Sequence, residues 1–237
     1  MVLPLDDDNP TTVNPYLTVG IIITCALVYV WQHWTLSDAG AQRVAYALGV
    51  VPAVLTGREL LPPEIVLVPP FASILTSMFL HGGFLHLAGN MLYLWVFGNN
   101  IEDAMGHLRF FIFYVICGVA AVFAQVLTNP GSIVPMVGAS GAISGVLGAY
   151  VLLYPRARVL LGFPLGFVIV QIGRYPAVWV LAAWFVMQLV MGGVAAVQSS
   201  GQGDGGIAFG AHVGGFIAGL LFVTVFKRRD VRLWRRY

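Results

Sequence analysis

Six stretches of this 237-residue chain, at about 16–34, 83–101, 109–127, 137–154, 177–197 and 207–226, approach the roughly twenty apolar residues that a helix needs to cross a bilayer. Apolar residues make up 59% of the sequence and charged residues 9%, whereas charged residues are about a quarter of a soluble domain. The mean hydropathy of +0.86 agrees. A membrane barrel would show shorter runs alternating with period two, and none of the six does. The expected fold class is therefore all-α: a polytopic, multi-pass bundle of six transmembrane helices in contact with the lipid bilayer.

The remaining segments divide the chain. Residues 1–15 read as a short polar tail, 16–226 as the membrane domain and 227–237 as a basic tail. The connection 35–82 carries Pro52, Pro62, Pro63, Pro69 and Pro70 among apolar residues, too broken to span and too apolar for a solvated loop, so an interfacial insertion is expected there. A shorter apolar stretch, 159–173, is interrupted by Gly162, Pro164 and Gly166; it is also read as interfacial rather than as a seventh span. Asp6, Asp7 and Asp8 stand where a signal peptide would be basic, so the first span is expected to be retained and a bacterial plasma membrane is favoured over an organelle. Cys25 and Cys117 both fall in apolar segments and outline no disulfide framework.

Orientation follows from the cations. Lys227, Arg228, Arg229, Arg232, Arg235 and Arg236 put the C-terminal tail in the cytoplasm by the positive-inside rule, and six spans bring the N-terminus to the same side. Arg109, Arg156, Arg158 and Arg174 then also fall inside, leaving only Arg43 and Arg58 outside. Trp31 and Trp34 mark the outer end of the first span.

In that arrangement the second, fourth and sixth spans run parallel, and His86, Asn90, Ser140 and His212 lie within about three turns of their outer ends. A serine beside a histidine is the smallest constellation for nucleophilic acyl transfer. Contact between them requires small residues on facing helices, and the fourth span offers Gly138, Gly141, Gly145 and Gly148 against Gly210, Gly214, Gly215 and Gly219 of the sixth. His86 and Asn90, four apart, share a helix face and suit an oxyanion hole, to which the Ser140 N–H adds a donor.

Plainer readings compete with these. Ser140 alone reads as a small packing residue, and His212 alone as a satisfied interior histidine. Ser144 sits one turn deeper on the same face and reads as packing. His81 is on a different face from His86 and reads as structural. No metal is expected, because His81, His86 and His212 have no nearby Cys or carboxylate and no H-E-x-x-H occurs. Gly201-Gln-Gly-Asp204 imitates an aspartyl-protease motif but lacks a second buried carboxylate, so Asp204 reads as a turn residue. Glu102 reads as an interfacial residue pairing with a cation such as Arg109. The basic tail is a topology determinant before it is a lipid contact, and nothing suggests nucleic acid or a cofactor.

Three runs, taken together, resemble the rhomboid family of intramembrane serine proteases. His81-Gly-Gly-Phe-Leu-His86-Leu-Ala-Gly-Asn90-Met, followed by Phe97-Gly98 and Glu102, is similar to that family's H-x4-H-L-x2-N-M and F-G-x3-E. Gly138-Ala139-Ser140-Gly141 is similar to its G-x-S-G, and Ala211-His212 with Gly215 and Gly219 to its A-H-x2-G-x3-G. The resemblance implies Ser140 as nucleophile, His212 as general base, His86 and Asn90 as oxyanion partners, supporting glycines at 138, 141 and 215, and transmembrane proteins as substrates. The Trp-Arg pair that many members carry in the first outer loop is missing from 35–82. A catalytically inactive, client-binding relative would have lost the serine or the histidine, and a transporter would show repeat symmetry or paired half-helices; this sequence shows neither departure.

Overall fold

The computed structural model describes residues 2–166, 168–198 and 208–234. Helix α1 (Tyr16–Val30) continues through a π turn at Trp31–Thr35. The connection after it folds into three short helices, α2 (Asp38–Leu48), α3 (Pro52–Leu55) and α4 (Ser73–Thr76), the last running into a 3-10 turn at Ser77–Phe79. Then come α5 (Phe84–Met105), α6 (His107–Thr128), α7 (Ser140–Leu153), α8 (Ala177–Gln198) and α9 (Phe209–Phe226). Among the described residues, four helical stretches are long and apolar enough to cross a membrane: Tyr16–Thr35, His107–Thr128, Ala177–Val194 and Phe209–Phe226. Helix α5 has the length but carries Asn99, Asn100, Glu102 and Asp103 in its last turns.

Helix α7 is the centre of the bundle. Its fourteen residues reach only about 21 Å, short of the roughly 30 Å of a hydrocarbon core. Protein surrounds it instead: every residue from Gly141 to Tyr150 is buried, against α5, α6 and α9. Phe97, Phe110, Phe113, Tyr114 and Tyr150 fill the core towards its C-terminal end. The outer faces of the surrounding helices carry exposed apolar residues such as Trp95, Phe111, Val186 and Leu221, a surface stable in lipid and not in water.

The expectation of an all-α protein needs correction. Strands β1 (Leu3–Asp7), β2 (Arg158–Leu165) and β3 (Val168–Pro176) form an antiparallel sheet in the order β1-β2-β3. The stretch 159–173 is thus a hairpin, and the tail 1–15 contributes a strand to it. The β-branched run Val168-Ile169-Val170 favours a strand, and Gly166, at φ +63, supplies the left-handed residue that the turn needs. Asp7 points inward from β1 and accepts hydrogen bonds from the Tyr150 hydroxyl and from Asn100. Burial pushes its carboxyl up to about 6, against the hydrogen bonds from Tyr150 and Asn9. Asp6 pairs with Arg174 at 2.8 Å on the surface, a contact worth little on its own.

Glu102 also differs from its reading as an interfacial residue paired with a cation such as Arg109. It is fully buried and accepts from the N–H groups of Leu17 and Thr18 at 2.9 and 2.8 Å and from the Thr18 hydroxyl at 2.7 Å. His107 Nδ1 lies 2.6 Å from Oε1, the oxygen that also accepts from Leu17. The first N–H groups of a helix have no intrahelical acceptor, so a carboxylate from the end of α5 caps the start of α1 and favours its dipole. Glu102→Ala should cost about 2–4 kcal/mol by orphaning buried donors, read as a lower thermal midpoint in detergent, with Glu102→Gln costing less.

Candidate active site

The three parallel helices α5, α7 and α9 begin at the same end of the bundle. A methyl group added to Gly215 would collide with the Gly141 carbonyl, one on Gly219 with the Gly145 carbonyl, and one on Gly148 with the Phe216 carbonyl. Of the glycines expected to face each other, 141, 145 and 148 on α7 and 215 and 219 on α9 do, whereas Gly210 and Gly214 face α6 and Gly138 faces His86 on α5; α7 and α9 meet backbone to backbone. That closeness sets the distance between their side chains.

Ser140 opens α7 and His212 lies in the first turn of α9; the Ser140 Oγ and His212 Nε2 are within hydrogen-bond distance at 2.9 Å. Both are half-buried. Ser144, fully buried, donates its hydroxyl to the Ser140 carbonyl at 2.6 Å, an i−4 bond within its own helix.

His86 and Asn90 stand beside them, and Gly138 shows how close. Gly138 adopts φ +124, where a side chain is strained, and an added Cβ would sit 2.8 Å from His86 Nε2 and 3.6 Å from Asn90 Nδ2. The Asn90 amide nitrogen is buried and has no hydrogen-bond partner among the described residues, a donor without an acceptor there. His81 is fully buried, edge-on to His86 at 5.2 Å between ring centroids, and its carbonyl lies 2.9 Å from His33 Nε2. A cleft opens next to Ser140, lined by Ser77, Met78, Gly118, Ala121, Val137 and Ala211.

The 35–82 connection is tied to this end of the molecule without a Trp-Arg pair. Val50 and Met136 exchange backbone hydrogen bonds at 3.0 and 2.7 Å, and the Gly138 N–H donates to the Ser77 carbonyl at 2.9 Å. These bonds fix the strand-like approach into Ser140, so α7 starts at 140 rather than at 137. Among the described residues no cluster of three His, Cys, Asp or Glu side chains could hold a metal; Gly201–Asp204 lies outside them.

Sequence reasoning missed one residue. Gln188 on α8 is buried, and its Oε1 lies 2.8 Å from His212 Nδ1. The available signal was its isolation as the only polar residue between 177 and 197.

The Rhomboid domain family model matches residues 70–229, which includes His86, Asn90, Ser140, Gln188 and His212. The chain belongs to the rhomboid family. It is 32% identical over 171 residues to the mitochondrial Rhomboid protein 1 of Saccharomyces cerevisiae, covering 68% of this chain and 45% of that protein. It is 32% identical over 156 residues to RHOMBOID-like protein 5 of Arabidopsis thaliana, covering 66% and 44%. Rhomboid protease GluP of Bacillus subtilis is 42% identical over 89 residues, covering 37% of this chain and 17% of that protein. The chain spans less than half the length of these relatives. The yeast relative is mitochondrial by name, which runs against the expected bacterial plasma membrane.

Proposed function

We propose that this rhomboid-family chain is an intramembrane serine endopeptidase that cleaves transmembrane proteins near the outer membrane interface. The observation that carries the reading is the 2.9 Å contact between Ser140 Oγ and His212 Nε2, beside a cleft that Ser140 lines and among exposed apolar helix faces. In this reading α1, α5, α6, α8 and α9 span the bilayer, the shorter α7 completes its crossing with the extended approach at 137–139 inside their sheath, and both termini are cytoplasmic. The cations at 109, 156, 158, 174 and 227–229 lie at the start of α6, after the C-terminal ends of α7 and α9 and just before α8, away from Ser140 at the start of α7, and this supports the orientation by the positive-inside rule.

His212 takes the Ser140 proton as the oxygen attacks the scissile carbonyl carbon, and the imidazolium then protonates the leaving amine. His86 Nε2, the Asn90 amide and the Ser140 N–H face the developing oxyanion. Water, activated by the same histidine, hydrolyses the acyl-enzyme. The reaction needs neither metal nor cofactor. A helical substrate must first unwind locally, because an intact helix protects its carbonyls.

Labelling by a fluorophosphonate probe tests this: modification at Ser140 in the folded protein is the expected result, and a folded protein unlabelled there sinks the protease reading in favour of client binding. Asn90→Ala should lower kcat about 10²-fold while KM changes little. A defect confined to KM would move Asn90 out of the oxyanion hole.

A further inference from the structure

Helix α8 is apolar from Ala177 to Val197 except at Gln188. Leu181, Trp184 and Gln188 recur at helical spacing and form one face towards the bundle, Leu181 being fully buried and Gln188 6% exposed. That face meets His212: the Trp184 ring lies 5.9 Å from the imidazole between centroids, and Gln188 Oε1 is 2.8 Å from Nδ1. The imidazole is thus engaged at both nitrogens, by Ser140 on one side and by Gln188 on the other.

The two contacts constrain each other. A neutral imidazole carries one ring proton, and Nε2 can accept the Ser140 proton only if that ring proton sits on Nδ1. An Nδ1–H inside an apolar bundle needs an acceptor. The Gln188 carbonyl is there, and it brings no charge into the interior as a carboxylate would. An amide serves the same purpose beside the histidine of papain-like proteases.

We propose that Gln188 is a positioning residue that turns the Ser140–His212 pair into a Ser–His–Gln triad; this rests on the serine protease reading above. Gln188 holds the Nδ1–H tautomer before attack. When the Ser140 proton moves to Nε2 and the oxygen bonds to the carbonyl carbon, the same hydrogen bond stabilises the imidazolium. It persists until Nε2 gives that proton to the leaving amine. Gln188 itself gains and loses no proton.

The competing role is interhelical glue, since polar residues in membrane helices often serve only to hold neighbours together. The two roles separate in the full chain reconstituted in detergent, with a fluorophosphonate as the probe. Gln188→Met keeps the length and removes the acceptor; Gln188→Glu keeps an acceptor. Triad membership predicts that the methionine variant lowers the maximal rate of Ser140 labelling about 10- to 100-fold, as for loss of one hydrogen bond from a buried group. The half-saturating probe concentration should stay unchanged, and the glutamate variant should recover to within about fivefold of the original rate. Labelling of the methionine variant at the original rate, with only a lowered thermal midpoint, overturns the proposal and leaves the Ser–His pair standing. Equal slowing in both folded variants also overturns it. An original protein that is not labelled at Ser140 points instead to failure of the protease reading itself.

Discussion

Ser140→Ala is expected to lower kcat by on the order of 10⁵-fold or more, with His212→Ala close behind, and the double variant should be no slower than either. The non-additivity is the informative part. A hydroxyl 2.9 Å from an imidazole nitrogen acts in one proton transfer; once either group is removed, the other has no step left to assist. Ser144→Ala should retain most activity, because its hydroxyl is committed to the Ser140 carbonyl at 2.6 Å. Cleavage of a single-span substrate in liposomes measures all four variants, with thermal unfolding to check that the fold is kept. Ser140→Ala removes little packing, so activity should fall with little change in stability; His212→Ala also removes the ring beside Trp184 and the partner of buried Gln188, so its thermal midpoint should fall by a few degrees as well. Loss of activity in Ser144→Ala with retention in Ser140→Ala would move the nucleophile one turn deeper.

The long helices were legible because a bilayer leaves so few ways to satisfy a backbone; twenty apolar residues have little choice but to be helical. The meeting of α7 with α9 was legible too, since glycines at 141 and 145 and at 215 and 219 are spaced to align two small faces. Other features depended on partners distant in sequence. Glu102 serves donors at residues 17 and 18; the Phe97-Gly98-x3-Glu102 run singled it out, but nothing in that run names the start of α1 as its partner. β1 finds its partner strand some 150 residues later, and its aspartates disguise it as a polar tail. The hairpin at 158–176 was hidden by its composition, because apolar residues flanked by arginines also describe an interfacial segment. Gln188 was visible as an anomaly but had no assignable partner until α8 and α9 were set side by side.

The backbone contact between α7 and α9 makes Gly219→Val the packing change with the largest expected effect. A Cβ there would lie 2.6 Å from the Gly145 carbonyl carbon and 2.7 Å from its Cα. Those neighbours are backbone at the centre of the most buried helix, so no side chain can rotate away and the helices must separate. Overpacking of this kind costs about 1–3 kcal/mol when side chains can adjust, and about 3 kcal/mol or more is expected where backbone must move. Separation also lengthens the Ser140–His212 hydrogen bond, and a misplacement of about 1 Å is enough to cost about 10²-fold in rate. Thermal unfolding and fluorophosphonate labelling should therefore fall together. Gly20→Ala on α1 is the control: an added Cβ there meets nothing within 4 Å, so alanine's higher helix propensity should leave stability unchanged or raise it by up to about 1 kcal/mol. If Gly219→Val labels at the original rate and keeps its thermal midpoint, then the close approach of these helices does not set the geometry of the serine and histidine.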